Sequence, residues 1–471
     1  MTETEAAPLA DLLAETDGEP EDEWAGIPPE DMPDDRRGRT VRVDDAWRLK
    51  LVMGERKDGK GYVSYVKPIS ANVTTILRHH PAWRGVAVYD EFRDAVITTR
   101  TPSWDPEDMP EMADEGVWGD GDTGRLIAWL ARVEGIDVPV GEVERGLASC
   151  ADTAKRHPVR EYLRGLEWDG VPRCDSWLHT YLGAPDGEYE RGVGPKWLVS
   201  AIARIMVPGE QVDCALILEG DQGTGKTSAL RALVPQAEWY ADSPLDLSNK
   251  DSMEALRAVW IYGLDELDSL RKGDVTRWKS FITQTRDHYR APYGHRTRDF
   301  LRQNVFCGTT NATQYLVDSS GTRRFWPVRC GAINVAALRR DRDQLWAEAR
   351  DRYVSDEPWH VGSAKLRLLC EEQQADRSQV DPWEDLIVQW LDKPLAPGQD
   401  GYPDRVDVSE GVTTTDVLLN ACQVPKRELG RAHETRAGSI LSGLGYERVR
   451  RSVLGSRRWV YVRPCPPEEG Q

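Results

Sequence analysis

The sequence predicts an α/β fold: a core built on a parallel sheet, a largely helical region before it, and a small domain of two helices and a hairpin after it. Three observations carry that expectation. In "NVTTILRHH", "DTGRLIAWLARVEG" and "GEVERGLASCADTAKRHPVREYLRGL" apolar residues recur at i, i+3 and i+4, the spacing of amphipathic helices. Short apolar runs then alternate with helical patterns, and "CALILE", "AVWIYGL" and "NVFCGTT" read as buried parallel strands. Finally, "TTTDVLLNAC" and "TRAGSILSGLGYERVRRSVLGSRRWVYVRP" read as a Thr-capped helix, a second helix, and two strands around Gly455.

In chain order, residues 1–40 form an acidic tail with too few large apolar groups to offset the entropy of ordering, so disorder is expected there. An acidic interaction arm or DNA mimic is the alternative role for it. Residues 1–35 hold 13 acidic and no basic side chains, so of the net charge of -18 only -5 falls on the remainder, which leaves room for basic surfaces. Residues 41–195 are the largely helical accessory region and 196–355 the sheet core. Residues 356–404 are connecting helices and a linker marked by Pro394, Pro397, Gly398, Gly401 and Pro403, and 405–471 the last domain. The eight cysteines show no zinc spacing and read as buried thiols of a reducing compartment. No apolar run approaches the ~18 residues of a membrane span, and the acidic start lacks the basic-then-apolar order of a secretory signal, so no membrane partner is expected.

Directly after "CALILE" comes "GDQGTGKT", which fits G-x-x-x-x-G-K-T and runs into a helix. Gly220, Asp221, Gln222, Gly223, Thr224, Gly225, Lys226, Thr227 and Ser228 form the expected phosphate-binding loop. Its glycines let successive N–H groups curl around phosphates, Lys226 reaches the β and γ phosphates, and the Thr227 hydroxyl ligates magnesium. The cofactors expected are therefore ATP and Mg2+. The next strand ends in Asp265, placed to hold the magnesium, and Glu266, placed to activate a water, an arrangement that points to hydrolysis. The third ends in Asn311, whose amide can bond the γ-phosphate and the attacking water. In "SSGTRRFWPV", Arg323 or Arg324 supplies the cation that phosphoryl transfer needs, delivered from a loop to a neighbouring subunit's ATP in a head-to-tail ring; a salt bridge to Asp318 is the structural alternative.

Two basic stretches accompany this core. Residues 271–302 carry nine Arg or Lys against three Asp, and "YRAPYGHRTRDF" reads as a hairpin with Lys279, Arg290, Arg296 and Arg298 to grip a nucleic-acid backbone and Tyr293 to stack on bases. A solvated charged face is the rival reading. Residues 426–463 carry ten basic and three acidic side chains, and helix, helix, basic hairpin is a winged-helix-like pattern with Arg450, Arg451, Arg457 and Arg458 on the wing. Such domains also dock proteins. Asp120 and Asp122 in "WGDGDTG" form a D-x-D, yet they precede a helix, where Asp and Thr are ordinary caps. The histidines show no metal spacing, and the 18 tryptophans read as packing.

In that order, "HPVREYLRGLEWDGVPR", "GDQGTGKT", "LDEL", "RAPYG", "GTTN" and "GTRRFWPV" resemble the virulence-associated protein E family, ATPases of phages and mobile elements related to superfamily 3 helicases and phage primase-helicases. The resemblance runs from about Asn72 to Pro464. It implies an AAA+-like P-loop domain that forms a homo-oligomeric ring and moves single-stranded or forked DNA in the cytosol of a bacterial host, with a separate primase as a possible partner. It assigns the ATP site to Lys226, Thr227, Asp265, Glu266, Asn311 and one of Arg323 or Arg324. The expected function is a replicative DNA helicase or translocase. A nucleotide-switched initiator or loader without unwinding activity, and an ATPase of element interference or defence, are the alternatives.

Overall fold

The computed structural model describes residues 43–59, 61–101, 116–243, 245, 251–264, 272–290, 297–316, 322–377, 381–392, 411–453 and 456–463. The chain divides into two compact units. One comprises residues up to 269 with 277–311 and 324–370, and the other comprises 270–276, 312–323 and 371 onward.

The first unit opens with the 3-10 helix Val43–Lys50 and an antiparallel hairpin, β1 (Met53–Asp58) and β2 (Gly61–Val66). Next come the helix Ser70–His79, β3 (Ala87–Asp90), β4 (Ala95–Thr98), β5 (Gly116–Val117), the helices Asp120–Trp129 and Val140–Ala151, and β6 (Lys155–Arg156). The four last strands form one sheet in the order β5-β4-β3-β6. Three expected helices are therefore present, but the region is mixed α/β rather than largely helical. β3 and β4 are four residues each, too short to show alternation, and β1 (MGERKD) is mostly exposed and rich in Gly, Lys and Arg, although its partner β2 (GYVSYV) carries the Tyr and Val of a strand. Ile76, Leu77, Trp83, Leu126, Leu130 and Val143 close a core of their own. Two of its helices touch so closely that a Cβ on Gly146 would fall 2.5 Å from Val73. Asp122 caps the backbone N–H of Gly119 at 2.8 Å and pairs with Arg125 at 2.6 Å, as a capping residue should.

The centre of this unit is a five-stranded parallel sheet. β7 (Ala215–Glu219), β8 (Tyr240–Ala241) and β9 (Ile261–Leu264) are followed by a hairpin, β10 (Arg286–Arg290) with β11 (Thr297–Leu301), and then β12 (Val305–Thr310) and β13 (Phe325–Arg329). The order is β13-β7-β12-β9-β8, so β12 lies between the first and third strands of the sheet. The three expected strands are all present, joined by two more. The helix Glu188–Met206, buried almost throughout from Val193 on, continues across the expected boundary at 195. Buried indoles tie helices to the sheet and to one another: Trp197 donates to the Phe306 carbonyl (2.9 Å), Trp260 to Ala201 (3.0 Å) and Trp346 to Leu233, at the end of the helix Lys226–Ala232 (2.7 Å). Trp260 and Trp346 lie 4.3 Å apart, centroid to centroid, so each ring fills the core while its one polar atom is satisfied. Val159 and Leu163, on the helix Pro158–Arg164, belong to the same core.

In the second unit the helices Pro382–Asp392, Thr414–Asn420 and Arg431–Gly443 pack with an antiparallel hairpin, β14 (Glu447–Val453) and β15 (Ser456–Val462), through Ile387, Val417, Leu418, Ala437, Leu441 and Tyr461. Thr413 caps the middle helix in a reciprocal box with Asp416, as its sequence implied.

His157 makes the first unit pH-sensitive. It is buried, its Nε2 donates to Gln303 Oε1 at 2.6 Å, and its Nδ1 accepts the Arg160 N–H at 3.3 Å, so the ring is held neutral. Burial, assisted by Arg160, pulls its pKa from 6.5 down to about 3. The unfolded chain therefore binds the extra proton first. The stabilisation is complete above pH 6.5 and is lost progressively as pH falls toward 3. Between pH 7.5 and 5.5 the wild type should lose about 1.4 kcal/mol from this group, seen as a lower urea midpoint, and His157→Gln should show a correspondingly flatter pH dependence.

Candidate functional site

The loop from Gly220 to Gly225 leaves the C-terminal end of β7 and enters the helix Lys226–Ala232. Gly220, Gly223 and Gly225 have φ of 148°, 82° and 93°, a left-handed path that residues with a Cβ rarely follow. A Cβ on Gly220 would stand 3.5 Å from the Cys330 carbonyl, so the loop lies close against the chain leaving β13. Asp221, Gln222, Gly223 and Thr224 are exposed, Gly225 and Thr227 half-buried and Ser228 exposed. The Thr224 hydroxyl donates to Asp221 O at 2.9 Å and closes the turn.

Lys226 is buried, 6% exposed, with its ammonium folded into the loop. Its Nζ donates to Gly220 O (2.7 Å), Asp221 O (2.8 Å) and Asn311 Oδ1 (2.9 Å). An ammonium has three donors, and all three are used on acceptors in the loop and at the end of β12. Asn311 reaches this position because β12 runs beside β7 in register, Thr310 opposite Glu219. The sheet order thus brings together two residues 85 apart in sequence at the carboxyl edge, where ligands of parallel sheets bind. The sequence reading did not single out Glu219, buried at 7%, or Thr310, at 2%, the register partners beneath the loop; their place at strand ends was the available signal. Asp265 and Glu266, which follow β9, lie outside the described residues. Among the described residues no cluster of His, Cys, Asp and Glu forms a metal site.

Arg323 and Arg324 lie on the 3-10 turn Thr322–Arg324 that enters β13, Arg323 exposed and Arg324 half-buried. The first residue of β13, Phe325, is opposite Ala215, the first of β7. Arg324 therefore stands at the amino edge of the sheet and the glycine loop at the carboxyl edge, about 20 Å apart along the strands.

Of the residues expected to meet nucleic acid, Tyr293 and Arg296 lie outside the described residues, as do the side chains of Arg290 and Arg457. Lys279 is 5% exposed, drawn inward with Trp278, Phe281 and Ile282, and is not on the surface. Arg298 is exposed but pairs with Asp94. On the hairpin of the second unit, Arg450, Arg451 and Arg458 are exposed, with Arg451 directly opposite Arg458. Two further residues join them. Trp459 is 50% exposed and Arg448 lies over its ring at 4.6 Å, interleaving an aromatic face with guanidinium groups. Only the cross-strand register, Arg450 opposite Trp459, makes that grouping visible.

Asn311 is one of three acceptors for a buried ammonium, and its loss leaves the charge under-satisfied. Asn311→Ala is expected to cost about 1.5–3 kcal/mol, read as a lower urea midpoint at unchanged m. Asn311→Asp, which keeps an acceptor and adds charge, should retain most of that stability.

Residues 163–379 match the family described as the virulence-associated protein E-like domain. No curated protein matches the chain. Similar solved structures include the apo structure of the NrS-1 C terminal region (305-718), 13% identical, with a TM-score of 0.41 over 88% of this chain and 95% of that one. The A form apo structure of the NrS-1 C terminal region is 15% identical, with a TM-score of 0.37 over 64% of this chain and 78% of that one.

Proposed function

Because the chain carries a virulence-associated protein E-like domain at residues 163–379, we propose that it is an ATP hydrolase that drives a DNA helicase or translocase in the replication of a phage or integrated element. The observation that carries this reading is the convergence of the left-handed glycine loop, the buried Lys226 and Asn311 at one edge of a parallel sheet. Lys226 exchanges its carbonyl acceptors for phosphate oxygens, a charge-assisted contact that outweighs the bonds given up. The Asn311 amide, held at the Lys226 ammonium, orients the attacking water. Thr227 would hold the magnesium together with Asp265, and Glu266 would take the proton of the water. Magnesium, when bound, supplies the charge that neutralises the phosphates.

Arg324 favours action between subunits. The sheet separates it from its own chain's loop by about 20 Å, so the cation it offers, or that of Arg323 beside it, serves the loop of a neighbour in a head-to-tail ring. Mixing Lys226→Ala with a variant in which Arg323 and Arg324 are both changed to Ala should restore ATP turnover that neither shows alone. Absence of rescue at any ratio overturns the shared site. Turnover should also rise steeply with protein concentration and with single-stranded DNA.

The exposed Arg448, Arg450, Arg458 and Trp459 of the second unit favour a second reading, a DNA-binding initiator or loader switched by nucleotide. A forked duplex separates the two. ATP-dependent strand separation that survives removal of residues 405–471 excludes the initiator, whereas nucleotide-dependent DNA binding without separation excludes the helicase.

A further inference from the structure

The hairpin of β14 and β15 carries Arg448, Arg450, Arg451, Arg457 and Arg458 against a single carboxylate, Glu447. Its register sorts these charges onto two faces. Arg448 and Arg450 are two residues apart and Arg450 lies opposite Trp459, so these three share one face, while Arg451 lies opposite Arg458 on the other. Like charges directly opposed across two strands destabilise the pairing. Arg450 and Arg458 are exposed, and among the described residues no carboxylate pairs with either.

An aromatic ring stands within this charge. Trp459 is 50% exposed and takes no part in the hydrophobic core of its unit, which Tyr461 of the same strand helps to close. Arg448 lies over the indole at 4.6 Å and steadies it, and the exposed half leaves room for a second flat partner. Exposed aromatic rings set among arginines are what surfaces use to stack bases and track a phosphate backbone.

The helix Arg431–Gly443, which the winged-helix pattern would send into a major groove, has the opposite character. A helix that reads a groove presents arginine, lysine or side-chain amides to base edges. Here the exposed residues include Ala432, Glu434, Thr435, Ser439 and Ser442, with one cation, Arg431. Arg436, at the middle of the helix, is withdrawn: both oxygens of Asp381 hold it, at 2.8 and 2.6 Å, and its guanidinium lies on the Trp383 ring at 3.9 Å. The charge available to a polyanion is on the hairpin.

We propose that this hairpin, rather than the helix, is the nucleic-acid contact of the second unit, and that it takes an unpaired strand, one base stacking on Trp459 and the neighbouring phosphates meeting Arg450 and Arg458. In a duplex both planes of each base are covered by its neighbours, so an unpaired base is the one that can offer a plane to the indole. Every base has such a plane, and the site therefore selects the form of the strand over its sequence. The inference rests on the reading that the chain acts on DNA and is independent of the Lys226 loop.

Binding to the nucleotide-free full chain tests it, with a thymidine dodecamer, an abasic dodecamer and the thymidine strand annealed as a blunt duplex as probes. Trp459→Ala should weaken binding of the thymidine strand about tenfold and leave the abasic strand unchanged, and Trp459→Phe should restore most of the loss. Arg450→Gln and Arg458→Gln should weaken both single strands and reduce the log–log salt slope by about 0.7 each. A loss on Trp459→Ala that the abasic strand or the duplex shares in full refutes stacking. A 5-iodouracil at the centre of the thymidine strand reads the hairpin in the unaltered chain, whatever else in the chain binds and whether or not a variant folds. Irradiation should join it to Trp459. Strand binding with cross-links confined to other residues refutes the site and leaves the DNA reading standing, whereas failure to bind any of the three probes refutes both and leaves the arginines to an acidic protein.

Discussion

The position of β12 between β7 and β9 is the constraint on which the rest of the first unit depends. Once β12 pairs with β7, Thr310 is fixed beside Glu219, and the next residue, Asn311, must emerge next to the loop that follows β7. A buried ammonium is costly unless every donor is used, and that neighbour supplies the third acceptor for Lys226. Pairing on its other side with β9 draws the amino ends of those two strands together, and so assembles a cavity lined by Asn304 and Arg257. One choice of strand order therefore composes both edges of the sheet.

That order is held by aromatic mass. Trp197, Trp260 and Trp346 each present a large apolar body to the core and donate their indole N–H to a backbone carbonyl, so bulk and direction are specified together. Gly183 and Gly331 add a different kind of contact. Backbone meets backbone there, Gly331 donating to Leu182 O at 2.9 Å, and a Cβ on either glycine would fall 2.6 Å from the other strand of chain. The chain leaving β13 is thereby held against the helix Trp177–Leu182, close to where the glycine loop also meets it.

Much of the site was legible in the sequence because its signals are local. The glycine spacing and Lys226 sit in one uninterrupted strand-loop-helix segment, and Asn311 stands at the end of an apolar run that has to be a strand. What the sequence hid was long-range. Nothing local reveals that the third apolar run pairs with the first, that Asp94 will meet Arg298, or that Arg450 will lie opposite Trp459. Lys279 shows the limit of charge counting. A lysine in a basic stretch reads as surface, yet the helix Lys272–Ile282 buries Trp278, Phe281 and Ile282, and Lys279 goes inward with them. The short strands β3 and β4 escaped because four residues carry too little periodicity, and their pairing is supplied by neighbours rather than by pattern.

The helix Pro158–Arg164 has a consequence for what counts as a module in this protein. The stretch that matches the family model begins at residue 163, inside that helix, whereas the hydrophobic core also uses Val159 one turn earlier and Phe92 farther back. The matched stretch is thus smaller than the segment that closes this core. A chain cut at residue 163 would keep the carboxyl edge of the sheet with part of its hydrophobic support missing, so the module that can stand alone extends back at least to Phe92.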